Sequence, residues 1–127
     1  ALEAVPDDAQ LSFKLGVALD KAGDIPAERA ALEKAVQINP DLATAQNQLG
    51  FLASQDGDNV KAEKHFREAV RAAPGFTEAW VNLAATLGLE QRFAEAREAV
   101  TSALQLEPQN SKALLIRDTI EKAQAQR

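Results

Sequence analysis

The sequence contains no cysteine, no methionine and no tyrosine, a single tryptophan and a single histidine. Without cysteine there is no disulfide framework and no thiolate nucleophile, and composition says nothing about the redox compartment. One histidine, His65, without any cysteine leaves no zinc ligand set. Ser12, Ser54, Ser102 and Ser111 lack a histidine and an acid at any spacing that builds a nucleophilic triad. The six glycines are scattered at turns and close helix contacts, so no phosphate-cradling loop exists and no cofactor is expected. No apolar run approaches the roughly 18 residues that span a bilayer, and no secretory apolar core is present. Basic excess is also missing. The net charge is −5 and the basic residues alternate with acids, which argues against nucleic-acid binding. The lack of any methionine leads us to expect that Ala1 is not a natural start.

Proline is present in a regular pattern. Pro6, Pro40, Pro74 and Pro108 recur at one constant interval. The residues ahead of each proline repeat as well: Ala35-Val36 before Pro40, Ala69-Val70 before Pro74, Ala103-Leu104 before Pro108. A fixed period of roughly 34 residues in a helix-forming sequence marks a solenoid of helix pairs. Leu11, Leu15, Ala18, Leu19 and Ala22 form a helical apolar stripe over roughly 8–22. Gly23-Asp24 breaks it, Pro26 suits the first turn of the next helix, and that helix covers 25–39. The second copy turns at Gly57-Asp58 and buries Ala62, Phe66, Ala69 and Val70. The third carries Ala79, Trp80, Leu83, Ala84 and Leu87, and turns at Gln91-Arg92 with Gly88 nearby for flexibility. Residues 111–126 form one more helix with a polar outer side at Arg117, Asp118 and Glu121, as the end of a solenoid requires.

A 34-residue helix–turn–helix unit resembles the tetratricopeptide repeat. The third copy matches that pattern through Trp80, Leu83, Ala84, Leu87, Ala96, Val100, Ala103 and Pro108. The second matches at Leu49, Gly50, Ala62, Phe66, Ala69 and Pro74, and the first at Leu15, Gly16, Leu19, Leu32, Ala35 and Pro40. Ser12 and Gln46 depart from it where a large residue belongs, and Glu28 stands at a small position. The resemblance implies an all-α, right-handed α-solenoid. Residues 1–8 end a truncated upstream repeat, 9–42, 43–76 and 77–110 are full units, and 111–127 is a capping helix.

The resemblance also implies a concave groove lined by the first helix of each unit. Carried over residue by residue, it includes Lys14, Val17, Lys21, Asn47, Gln48, Phe51, Gln55, Glu78, Val81, Asn82, Leu89 and Lys112. Amides such as Asn47 and Asn82 can donate to and accept from an extended peptide. Phe51 is the expected apolar anchor. One buried aromatic contributes about 2 kcal/mol, and a micromolar ligand needs about −8 kcal/mol in all. The carboxylate clamp of the family's chaperone-binding members is expected to be absent, because Phe13 stands where a clamp lysine belongs and Ile116 where an arginine belongs. Trp80 is assigned to the core and His65 to the convex side, solvated or partly packed. The expected function is a non-catalytic module that binds a protein or peptide. The alternatives are an accessory region of a larger enzyme, such as a glycosyl- or sulfotransferase, and a scaffold that self-associates through an open N-terminal end.

Overall fold

The structure is a computed structural model, and residues 25–126 are described. The expectations for Pro6, for the helix over 8–22, and for Lys14, Val17 and Lys21 lie outside them. Six helices follow in order: α1 Ile25–Ile38, α2 Ala43–Gln55, α3 Asn59–Ala72, α4 Thr77–Leu89, α5 Phe93–Leu106 and α6 Ser111–Ala125. No strand occurs among the described residues.

The ladder prolines fall in the short connections that end α1, α3 and α5. Proline lacks an N–H and disfavours helix in the residue before it, so each second helix stops there. Pro26 sits one residue into α1, where its missing N–H costs nothing. Asp58 caps α3 by accepting from the Lys61 amide at 3.1 Å, and Asn110 caps α6 by accepting from Ala113 N at 3.0 Å.

The α2–α3 and α4–α5 turns each need one left-handed residue. In the first it is Gly57 at φ +80°, in the second Gln91 at φ +62°. The turn's strain therefore falls on Gln91, one full period after Gly57, and not on Gly88.

Each helix packs on the next in sequence, and α2, α4 and α6 also meet side by side. Two alanine ladders permit this closeness. Ala35, Ala69 and Ala103 in the second helices, and Ala45, Ala79 and Ala113 in the first, are all fully buried. A methyl group at these positions is the largest that two helix backbones in close approach can hold. Larger side chains fill the space between the ladders. Phe66, Leu83, Leu87 and Val100 belong to one core running from α2 to α6, and Leu32, Leu49 and Leu52 join α1 to α2.

Position four of the second and third units shows how unlike residues solve one problem. Trp80 Nε1 donates to the Pro74 carbonyl at 2.8 Å, and Gln46 Nε2 donates to the Pro40 carbonyl at 3.0 Å. Both satisfy the carbonyl of the proline that ended the preceding helix. The departure at Gln46 thus preserves the N–H donor and gives up only the ring. Trp80 also packs partly buried against the main core, as its assignment required.

Candidate functional site

The first helices α2 and α4 are almost free of charge. α2 contains no ionisable residue, and α4 contains only Glu78. The ion pairs lie on the second helices, the turns and α6. Arg92 bonds Glu63 at 2.5 Å and Glu95 at 2.7 Å, Arg67 bonds Glu63 and Glu95, and Arg29 bonds Asp56 at 2.6 Å. Burial pushes the Glu63 carboxyl up, but its hydrogen bonds from Arg67 and Arg92 outweigh this and hold it below the ordinary range. The Arg92 hydrogen bond likewise lowers Glu95. Glu95 therefore serves ion pairing, as its neighbours in sequence imply.

The face formed by α2, α4 and the start of α6 carries mostly uncharged polar groups and apolar side chains, with Glu78 and Lys112 as its charged members. Phe51 is 47% exposed and Leu89 69% exposed, so both stand open on this face. Leu115 is exposed and Ile116 is half-buried against the core. Gln48 is half-buried, while Gln55, Glu78 and Lys112 are exposed.

Two expected groove residues do not face outward. Val81 is only 4% exposed and belongs to the core, because it lies on the side of α4 that meets its neighbours. Asn47 is also 4% exposed, and its Oδ1 accepts from Asn82 Nδ2 at 3.0 Å. These amides tie α2 to α4. Asn82 stays half-buried, with its Oδ1 as the atom turned from that bond.

A cleft of about 260 Å³ opens between the first turns of α4 and α6. Glu78, Val81 and Asn82 of α4 line it together with Glu107, Asn110 and Lys112 around the start of α6. Asn110 is partly engaged, since one Nδ2 hydrogen goes to Glu107 while its Oδ1 caps α6. A second cleft of about 260 Å³ lies on the other side of α4, lined by Trp80, Leu83, Leu87, Arg67 and Glu95. A third, of about 430 Å³, lies between the start of α5 and the end of α6, bounded by Arg92, Phe93 and Gln124. Neither of the latter two brings together residues of the expected groove.

His65 is partly buried on α3, and its Nδ1 lies 2.8 Å from Gln46 Oε1. Gln46 uses its amide nitrogen on Pro40, so its oxygen must face His65, and Nδ1 must be the donor. Burial, then Lys61 and Lys64, push the imidazole below its ordinary value against a smaller pull from Glu33 and Glu68. Sequence reasoning placed His65 on the outer side but missed this bond, because its partner belongs to another helix, in the preceding half of the unit. Among the described residues, no three histidines or acids are placed to hold a metal ion. None of the described helices is long and apolar enough to cross a membrane.

Two family models, each described as tetratricopeptide repeat, match residues 1–43 and 53–113. A curated relative, "Cellulose synthase operon protein C" of Komagataeibacter xylinus, is 27% identical over 112 residues. The match covers 88% of this chain but only 8% of that protein's length. Among solved structures, the first TPR of Spaghetti (RPAP3) bound to the HSP90 peptide SRMEEVD superposes with a TM-score of 0.84 at 21% identity. It covers 93% of this chain and 94% of its own. A crystal structure of MamA gives a TM-score of 0.85 at 18% identity, covering 98% and 72%. At these identities the likeness establishes the fold.

Proposed function

The chain belongs to the tetratricopeptide-repeat family, and from that premise we propose that it is a non-catalytic interaction module whose α2–α4–α6 face receives a segment of another polypeptide. We divide it into units at 9–42, 43–76 and 77–110, followed by the 111–127 segment. The observation that carries the reading is the segregation of charge. The second helices and turns pair many of their ions with one another, whereas α2 and α4 expose Phe51, Leu89 and amides, with Glu78 as their single charge. Exposed aromatic and leucine side chains beside amides are what an extended peptide needs: apolar sockets for alternate side chains and partners for its backbone. A solenoid offers this surface by construction, because stacking leaves one side of each first helix unpacked. The solved relative that carries an HSP90 peptide supports the same use of the fold.

A match to 8% of a much longer curated relative also favours an accessory region within a larger protein. The test is site-specific photo-crosslinking. A photoreactive phenylalanine analogue at position 51 should capture a polypeptide that the same analogue at Val60 does not. Val60 is 74% exposed on α3, away from the proposed face. Equal capture from both positions would remove the reading.

A further inference from the structure

We infer that the cleft between α3, α4 and α5 is a second docking site, which receives an arginine side chain of a partner polypeptide. It lies on the other side of α4 from the proposed peptide face and stands independently of that reading. The second and third units treat this position differently, and the difference points to the occupant. In the second unit the ring of His65 lies against the residue at position four, with Nδ1 2.8 Å from Gln46 Oε1. One full period later Trp80 stands for Gln46 and Ala99 for His65. Ala99 is 3% exposed and has no ring to reach outward, and a cleft of about 260 Å³ opens beside it and Trp80. A place that a planar, basic ring of the chain itself occupies in one unit is left open in the next.

The charge at the cleft fits a cation. Lys64 of the second unit becomes Glu98 of the third. Glu98 lines the cleft and has no ion-pair partner among the described residues. The cations of its own helix and of α3 are held elsewhere: Arg67 by Glu63 at 2.7 Å and Glu95 at 3.0 Å, Arg71 by Asp41 and Glu68, Arg97 by Gln124. Arg67 and Glu95 also line the cleft, but with Arg92 and Glu63 they form a network of equal positive and negative charge. Arg67 keeps N–H hydrogens beyond these bonds, yet its charge is already matched, so Glu98 is the uncompensated one. Trp80 commits its one donor, Nε1, to the Pro74 carbonyl, so its indole offers the cleft only carbon and π surface. Ser102 Oγ donates to the Glu98 carbonyl at 3.3 Å, which leaves it an acceptor for an incoming N–H. Leu83 and Leu87 supply apolar lining for a methylene stem. A guanidinium suits this set better than an ammonium: it is planar, weakly hydrated, stacks on an indole and gives two parallel N–H bonds to one carboxylate.

The experiment selects a random peptide library on the whole chain, with a Glu98→Gln variant as the counter-selection. It should yield peptides that lose about tenfold or more in affinity on Glu98→Gln. In each of them, changing one arginine to lysine should cost about threefold or more. Tryptophan-free examples should shift the emission of Trp80, the single tryptophan, as they saturate. Ala99→His, which restores the ring of the second unit, should block them, and Phe51→Ala should leave their affinity within about twofold, as a distant site does. Glu98-dependent arginine peptides would uphold this site even if no peptide responded to Phe51→Ala and the groove reading fell. If the library yields only peptides sensitive to Phe51→Ala, the inference falls while the groove reading stands. It also falls if Glu98-dependent peptides need no arginine, accept lysine with a smaller loss, or leave the Trp80 emission unchanged. Circular dichroism on each variant separates a lost contact from a lost fold, and the exposed Glu98→Gln change decides the matter should Ala99→His fail to fold.

Discussion

Replacing Gly50 by alanine should destabilise the protein, although alanine is the better helix former. A Cβ built at Gly50 falls 2.5 Å from Phe66 Cε1, 2.6 Å from Cδ1 and 2.9 Å from Cζ. Carbon atoms rest about 3.5–4.0 Å apart, so the new methyl overlaps three ring atoms by about 1 Å. Phe66 is 2% exposed within the main core, so its ring has no open space to swing into. Overpacking of this kind costs about 3 kcal/mol at the upper end of its range, against about 1 kcal/mol gained from helix propensity. The net loss is about 2 kcal/mol. The third unit shows the compensated pair, with Ala84 and Val100 at the equivalent positions, both fully buried. Phe66→Val alone opens a cavity and should cost about 2–3 kcal/mol. Gly50→Ala combined with Phe66→Val should cost at least about 2 kcal/mol less than the two single losses together, because the methyl fills part of the cavity and the clash is gone. Urea unfolding, followed by helix signal and by Trp80 fluorescence, gives the four stabilities of the cycle. A Gly50→Ala variant more stable than the parent, or additivity within about 0.5 kcal/mol, as independent sites show, would refute the packing argument.

Three further outcomes follow from the same geometry. Gln91→Gly should raise stability by about 1 kcal/mol, since a side chain at φ +62° carries a left-handed penalty that glycine avoids; a thermal melt checks it. Trp80→Phe should cost about 0.5–1.5 kcal/mol beyond its lost area, the net worth of its hydrogen bond to the solvent-accessible Pro74 carbonyl, and Gln46→Leu should do the same at Pro40; urea midpoints measure both. Stability should fall as pH drops from about 7 through 6.5, because His65 is harder to protonate folded than unfolded and the unfolded chain takes up the proton first. His65→Gln should flatten that slope, and an unchanged slope would place its origin elsewhere. Below about 4.5 a separate loss should begin as Glu63, held below its ordinary value, is protonated away from Arg67 and Arg92.

The architecture was legible in one dimension because a repeat writes its period into the chain. The spacing of Pro40, Pro74 and Pro108 places the helix ends, and the Ala69 and Ala103 register places the close contacts, since local sterics alone stop a helix at proline and admit only small residues at a crossing. The packing of Trp80 against the core and the exposure of Phe51 were readable from their place in the period.

Pairings across units were not legible in this way. Periodicity assigns Asn47 and Val81 to a face, but how far that face opens depends on the angle between α2 and α4. The structure closes it over both residues and spends Asn47 on Asn82. The balance of charge in the α4–α6 cleft has the same origin. Glu78 is a whole helix pair away from Glu107 and Lys112 along the chain, and only the stacking of one pair on the next sets them around a single opening. A linear pattern determines which side chains each helix offers; the distances between helices decide which of them remain free for a partner.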